Sequence, residues 1–266
     1  MFFRSKEMNY IIIDLEFNQA LNASGNEINY KLPFEIIQIG LIKLDDHFNT
    51  ISTMNSLIKP ELYTALNPYV EKLTGISMNN LSSSKSFKEV FNDLTKLFDG
   101  ESVLCVWGVS DIKELYRNAL YHGLDVSLLP KLYINVQRHA SNKLTLKKGM
   151  NIGLSSATEI FDIPTSNNFH DAFYDALYTA EIFKKINSSN SGEGSSSNLN
   201  KLISRYSYNN SRNTEPKTKL DKDSLFNQFE KMFSRELTNE EKSMIELAYK
   251  MGKTNQFQIS TSKQKN

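Results

Sequence analysis

The sequence predicts an α/β fold, a mixed sheet flanked by helices, and three observations carry that expectation. Short β-branched and aromatic runs alternate with stretches of helical periodicity, Gly and Pro punctuate the joins, and 266 residues suffice for one well-packed domain plus an extension. Hydrophobic residues at 39% and charged residues at 23% fit a globular protein with polar excursions. A formal net charge of +1 favours no class of partner, so attraction for nucleic acid would have to come from a local basic patch or from cations in an acidic cleft.

The first run, Tyr10-Ile11-Ile12-Ile13, reads as a central strand ending in Asp14-Leu15-Glu16. Ile36 to Leu44 and Ile51 to Ile58 give two more strands, and the polar stretch Gln19 to Asn29 a loop over the strand ends. Pro60 and Pro68 punctuate short helices or turns, and Leu73-Thr74-Gly75-Ile76 looks like a helix exit. Phe87, Val90, Phe91, Leu94, Leu97 and Phe98 recur at helical spacing and predict an amphipathic helix over one face of the sheet. Val103 to Trp107 reads as a buried strand, followed by a helix from about Asp111 to Tyr121. Leu132 to Val136 is a shorter strand, and Leu144 to Phe161 is expected to be helical in two pieces around Gly149 and Gly153. From Asp171 to Ile186 the pattern is strongly helical, with Ala172, Ala176 and Ala180 four apart so that the helix can approach the sheet closely.

Domain organisation follows from composition: a folded α/β domain over 1–186, a flexible polar linker over 187–222, and a small helical appendage over 223–266. Leu202, Ile203, Tyr206 and Tyr208 could dock locally within the linker, helices are expected from about Ser224 and from Thr238, and Thr238-Asn239-Glu240-Glu241 is a capping-box pattern. From residue 187 onward 13 Lys and Arg stand against 9 Asp and Glu. This basic excess beside an acidic domain could hold a phosphate backbone or be an ordinary solvated face, and the tail could equally recruit a protein partner through a helix. Cys105, the single cysteine, lies in an apolar run and reads as core. Neither a signal-peptide core nor an apolar run of the ~20 residues needed for a bilayer is present, so the expectation is a cytoplasmic protein with no membrane partner.

Asp14 and Glu16 lie two apart on a strand and emerge on the same side. Two nearby carboxylates repel unless a positive charge sits between them, and hard oxygen ligands suit Mg²⁺ or Mn²⁺. Asp111 at a helix start and Asp175 near the start of the last helix add two acids, although helix starts favour acids for dipole reasons alone. His170, five residues before Asp175 at a loop-helix boundary, can present its ring beside them, and an imidazole with its reference pKa of ~6.5 can accept a proton from water. His47 and His122 fit surface turns and His139 a polar connection.

Five ordered segments resemble the DEDD superfamily of 3′-to-5′ exonucleases across residues 9–186. Ile13-Asp14-Leu15-Glu16-Phe17, Trp107-Gly108-Val109-Ser110-Asp111 and His170-Asp171-Ala172-Phe173-Tyr174-Asp175 look like its three motifs in the histidine subclass. Glu35 to Gly40 and Leu73 to Ile76 resemble the branch of ERI-type and KapD-like exonucleases. The resemblance implies an RNase H-like, largely five-stranded sheet, and two Mg²⁺ or Mn²⁺ ions around Asp14, Glu16, Asp111 and Asp175 with His170 as base. It also implies a single-stranded substrate with a free 3′ end, RNA before DNA. Phe17, Asn18, Leu21 and Phe169 are candidates to touch the terminal nucleotide, Phe17 being as well suited to the core. A DNA proofreading or repair exonuclease and a non-catalytic nucleic-acid-binding module are the alternatives.

Overall fold

The computed structural model describes residues 8–21, 29, 31–146, 150–165, 169–188, 199–208, 222–233 and 235–253. The chain forms two compact units, Met1–Asn213 and Thr214–Asn266.

The first unit is a six-stranded mixed sheet in the order β3-β2-β1-β4-β5-β6. Its strands are β1 (Met8–Asn18), β2 (Glu35–Leu44), β3 (Thr50–Leu57), β4 (Glu101–Val106), β5 (Leu132–Asn135) and β6 (Ser204–Arg205). β1 runs antiparallel to β2 and parallel to β4, which places it at the centre of the sheet. β1 also continues two residues past its expected end at Glu16. Every residue of β2 is buried, whereas β3 on the edge alternates exposed with half-buried positions. Five strands were expected; the sixth is two residues long and pairs antiparallel with β5.

The helices named among the described residues of this unit are α1 (Pro68–Thr74), α2 (Met78–Ser82), α3 (Phe87–Thr95), α4 (Ser110–Tyr121), α5 (Val136–Lys143), α6 (Leu154–Ile160) and α7 (Ala172–Ser188). α3 is the amphipathic helix read from the sequence. A capping box between Ser86 and Glu89 starts it, and Phe87, Val90, Phe91 and Leu94 pack with Ile11, Ile13 and Leu15 of β1 and with Ile112, Leu115 and Ala119 of α4. The opposite face carries α5, α6 and α7, where Ala176, Ala180 and Phe183 pack with Tyr10, Ile12, Val103 and Cys105. A third, smaller cluster joins Ile37 to Leu66, Val70, Ile76 and Leu81 under α1 and α2. Ile37 reaches it because the β1–β2 ladder carries a bulge: Glu16 pairs with Gln38 but Phe17 with Ile36, so β2 holds one extra residue.

Between β5 and α7 the sequence reading is corrected. Helix follows β5 directly, because the Asn135 side chain accepts from the Arg138 amide and caps α5, and it ends at Lys143 with Thr145 in the left-handed region at φ 52°. The expected helical start at Leu144 is therefore the exit of a helix, and Gly149 lies outside the described residues. His139 belongs to α5, half-buried against Asn187; His122 sits in the turn that closes α4, as read, but with its side chain largely buried and its ring 5.1 Å from that of Phe87, and His47 is exposed in a turn.

Of the stretch read as a linker, 189–198 and 209–221 lie outside the described residues. Residues 199–208 lie on the sheet, with Leu199 buried, Leu202 and Ile203 against one core and Tyr206 and Tyr208 against the other. The second unit contains α8 (Lys222–Phe233) and α9 (Asn239–Lys253). The Thr238 hydroxyl accepts from the Glu241 amide and the Glu241 carboxylate from the Thr238 amide, the reciprocal cap expected there. Among the described residues no helix is long and apolar enough to cross a membrane.

Candidate active site

Strand alternation directs the acids of β1. Ile11, Ile13 and Leu15 face α3 and α4, so Asp14 and Glu16 point to the face covered by α7. Asp14 pairs with Gly40 across the ladder, and a Cβ built on Gly40 would stand 2.0 Å from the carbonyl oxygen of Ala172 and 2.3 Å from the amide nitrogen of Phe173. Only glycine admits this approach, and it brings the first turn of α7, with Asp175, down onto the strand that carries Asp14. Ala172, Ala176 and Ala180, all fully buried, keep the contact close along three turns.

Polar side chains inside the sheet fix that helix start. The Gln38 Oε1 accepts from the Ala172 amide at 3.2 Å and its Nε2 donates to Asp171 Oδ1 at 3.3 Å, while Asp171 Oδ1 also accepts from the Phe173 amide at 3.0 Å. Asp171 is thus the N-terminal cap of α7, and Gln38 the buried brace beneath it. Glu35 does similar work on the other side: its carboxylate accepts from the amides of Glu61, Leu62 and Tyr63 at 2.6 to 2.8 Å. The sequence reading named neither role, although an Asp immediately before an alanine-spaced helix is a recognisable cap signal.

Asp111 enters from β4 through the loop Trp107–Val109 into the first turn of α4 and is buried. His170 stands just before α7 with its backbone in the left-handed region at φ 73°, a strained choice for a residue other than glycine. Its amide donates to Asp175 Oδ2 at 3.0 Å. Ligand-capable atoms of Glu16, His170 and Asp175 all lie within 4.8 Å of one another.

Electrostatics marks the same place. Burial first, then Asp111, Asp175, Glu16 and Asp171, hold the Asp14 carboxyl well above the usual carboxylate range. Burial, with Asp175, Asp111 and Asp171 behind it, pushes Glu16 up to about 8. Burial raises Asp111 to about 7, reinforced by Glu114 and Asp175 and opposed by a hydrogen bond from Ser110. Asp175 rises to about 6 by burial, opposed by the His170 amide. The second carboxylate oxygen of Asp175, Oδ1, is buried with no hydrogen-bond partner among the described residues. Converging acids, an orphaned carboxylate oxygen and a nearby imidazole are the donor set of a hard divalent cation, and the residues present fit one.

The candidates for substrate contact divide. Asn18 is fully buried, its Nδ2 donating to the carbonyls of Tyr63 at 2.9 Å and Ala65 at 3.0 Å and its Oδ1 accepting from the Asn67 amide at 3.0 Å. It holds the 63–67 loop and has no polar atom left for a nucleotide, which corrects the expectation. Phe17 is half-buried, with its ring 6.2 Å edge-on from Phe34, so core and surface share it. Leu21 lines a cavity of 320 Å³ with Gln19, Leu62 and Tyr63 to Ala65. Phe169 packs 5.4 Å from Tyr178 of α7.

A protein family described as Exonuclease matches residues 11–183. The 3′-5′ exonuclease DinG of Staphylococcus saprophyticus is 27% identical over 176 residues, covering 65% of this chain and 17% of that protein. The 3′-5′ exonuclease crn-4 of Caenorhabditis elegans is 24% identical over 196 residues, covering 66% of this chain and 62% of that one. The chain therefore spans less than two thirds of either relative. The crystallographic structure of the nuclease domain of 3′hExo, a DEDDh family member, bound to rAMP, superposes with a TM-score of 0.59 at 18% identity, over 71% of this chain and 96% of that one. The RNase H-like exonuclease fold expected from the sequence is the fold observed.

Proposed function

The chain belongs to the exonuclease family, and from that premise we propose that it hydrolyses the terminal phosphodiester of single-stranded nucleic acid from the 3′ end, releasing nucleoside 5′-monophosphates. The observation that carries the reading is the convergence of Asp14, Glu16, Asp111 and Asp175 at one end of β1, with Asp175 Oδ1 buried and unpartnered.

In this reading Asp14, Glu16, Asp111 and Asp175 would hold two divalent cations, Mg²⁺ or Mn²⁺. Cations at such a site supply charge stabilisation to the phosphoryl oxygens and to the attacking and leaving oxygens of an in-line displacement. The protein's own contribution is positioning. Gly40 and Gln38 fix the first turn of α7, the His170 amide orients Asp175, and the left-handed turn at His170 presents the imidazole to water beside Glu16. A ring nitrogen of His170 takes the proton from the attacking water. Leu21 and Phe169 form apolar walls for the terminal nucleotide, with the exposed part of Phe17 beside them.

RNA is the preferred substrate in this reading. Its supports are the resemblance of Glu35 to Gly40 and Leu73 to Ile76 to the ERI and KapD-like branch and the bound rAMP of the similar 3′hExo structure. The local distinction between the two sugars is the 2′-hydroxyl, and Glu16 and backbone groups after it are the candidates to meet it now that the amide of Asn18 is occupied.

Matched single-stranded RNA and DNA, labelled and incubated with Mg²⁺ or Mn²⁺ at equal ionic strength, test the proposal by release of mononucleotide. Asp14→Asn, Glu16→Gln, Asp111→Asn and Asp175→Asn should each lower kcat/KM about 10³-fold or more in folded protein, since the cation site supplies several kcal/mol. His170→Ala should depress turnover while calorimetry still reads cation binding. No mononucleotide release from either strand by the wild type sinks the activity; a higher kcat/KM on DNA across several sequences removes the RNA preference alone.

A further inference from the structure

The β5–β6 edge of the sheet carries two cavities. A cavity of 520 Å³ lies beside the loop that delivers Asp111; Val109 of that loop lines it together with Tyr133, Asn135, Arg138, Lys201 and Ser204. No carboxylate is among its described lining residues. A second cavity, of 590 Å³, is walled by Tyr116, Lys131, Arg205, Tyr206 and Tyr208. The one acid among its described lining residues, Asp125, accepts from the amide of Ser127, which lines the same cavity. The two are neighbours: the ring of Tyr133 in the first lies 6.4 Å from that of Tyr206 in the second, and Tyr116 stands 4.9 Å from Tyr206 and nearly parallel to Tyr208 at 6.3 Å. Arg138, Lys201, Lys131 and Arg205 make no ion pair with an acid among the described residues.

We infer that this edge is the track for the strand upstream of the scissile bond. Arg138 and Lys201 hold phosphates upstream of the scissile one, beyond the reach of a dinucleotide, and the cluster of Tyr133, Tyr206 and Tyr208, flanked by Lys131 and Arg205, receives bases farther from the 3′ end. Single strands are held by this chemistry: a cationic groove follows the backbone and aromatic faces take successive bases whatever their identity. Charges on an edge strand also block pairing with other sheets. That purpose needs neither two cavities nor three half-buried tyrosines beside them. Residues 199–208, which follow the last helix of the family's matched region and pair with β5, complete the track by adding Lys201, Arg205, Tyr206 and Tyr208 to Tyr133, Arg138 and Lys131. The inference rests on the single-strand reading above and extends it from the terminal nucleotide to the length of substrate gripped.

The test uses the full chain with fluorescein-labelled oligoribonucleotides of two and ten nucleotides. Affinity is read by anisotropy in EDTA and cleavage in Mg²⁺. The double variant Arg138→Ala/Lys201→Ala should weaken the ten-mer about tenfold or more. It should also reduce the slope of log affinity against log salt by about 1.4, roughly 0.7 for each lost phosphate contact, and leave kcat/KM for the dinucleotide unchanged. The swap Arg138→Lys/Lys201→Arg keeps both charges and should restore ten-mer affinity. Equal losses on both lengths, or an unchanged ten-mer, overturn the track; a face whose loss affects only a protein partner does so as well. The anisotropy arm needs no catalysis, so the absence of cleavage would count against the activity and leave this question decided by binding.

Discussion

Two helices cover opposite faces of the same sheet by opposite means. α3 fills space: Phe87, Val90, Phe91 and Leu94 fill the layer above β1, and a capping box between its own Ser86 and Glu89 starts the helix. α7 removes space: Ala172, Ala176 and Ala180 and the missing Cβ of Gly40 let backbone meet backbone, and its start is braced by Gln38 from within β2. Volume buys α3 its stability; closeness at α7 sets where Asp175 stands relative to Asp14. One face of the sheet is therefore tuned for free energy and the other for distance.

The sharpest way to break that comparison is Gly40→Ala. A Cβ 2.0 Å from a backbone oxygen has no flexible neighbour to displace, so α7 must lift. A displacement of the order of 1 Å costs about 10²-fold in kcat/KM, alongside a lowered melting temperature; a variant as active as wild type would show that closeness is not what the alanines provide. Phe91→Ala should do the reverse, losing about 3–5 kcal/mol in denaturant unfolding with kcat per folded molecule unchanged. A thermal melt against pH gives a smaller effect confined to the α7 face. Glu16, Asp111 and Asp175 have folded values raised to about 8, 7 and 6, so the stability they contribute is full below their ordinary carboxylate range and is lost as pH rises through these values. The metal-free protein should therefore melt lower at pH 8 than at pH 5. Added Mg²⁺ or Mn²⁺ should raise the melting temperature most at the higher pH, and a flat profile without metal would remove the repulsion from the account.

The same contrast separates what was legible in the sequence from what was not. Periodicity alone located α3, because a helix that fills volume writes large apolar residues at helical spacing. It also located α7, because alanines four apart are as regular a signal. Strand parity made it readable that Asp14 and Glu16 share a face, and helix starts placed Asp111 and Asp175, but only the resemblance implied that the four acids act together. Asn18, Gln38 and Glu35 were not readable as braces, since their partners lie 17 to 134 residues away in the chain and nothing local announces them. α5 was misplaced because its cap, Asn135, is also the last residue of β5. β6 is two residues long and exists only by pairing with β5, below the length at which a pattern can be seen.

Ile37 behaves as a single inserted letter: upstream, Ile36 pairs with Phe17, and downstream, Gln38 pairs with Glu16, as they would if the two were consecutive. Deleting Ile37 would leave Gln38 and Gly40 facing α7 and Ile36 facing α3, with the meaning of both phrases intact. What it would erase is the residue on which Leu66, Val70, Ile76 and Leu81 rest. The α1–α2 layer would thus lose its fully buried support on β2 while Leu57 of β3 and the hydrogen bonds of Asn18 and Glu35 to residues 61–67 still tied it to the sheet, so its packing could be loosened in a single step without rewriting the acidic face.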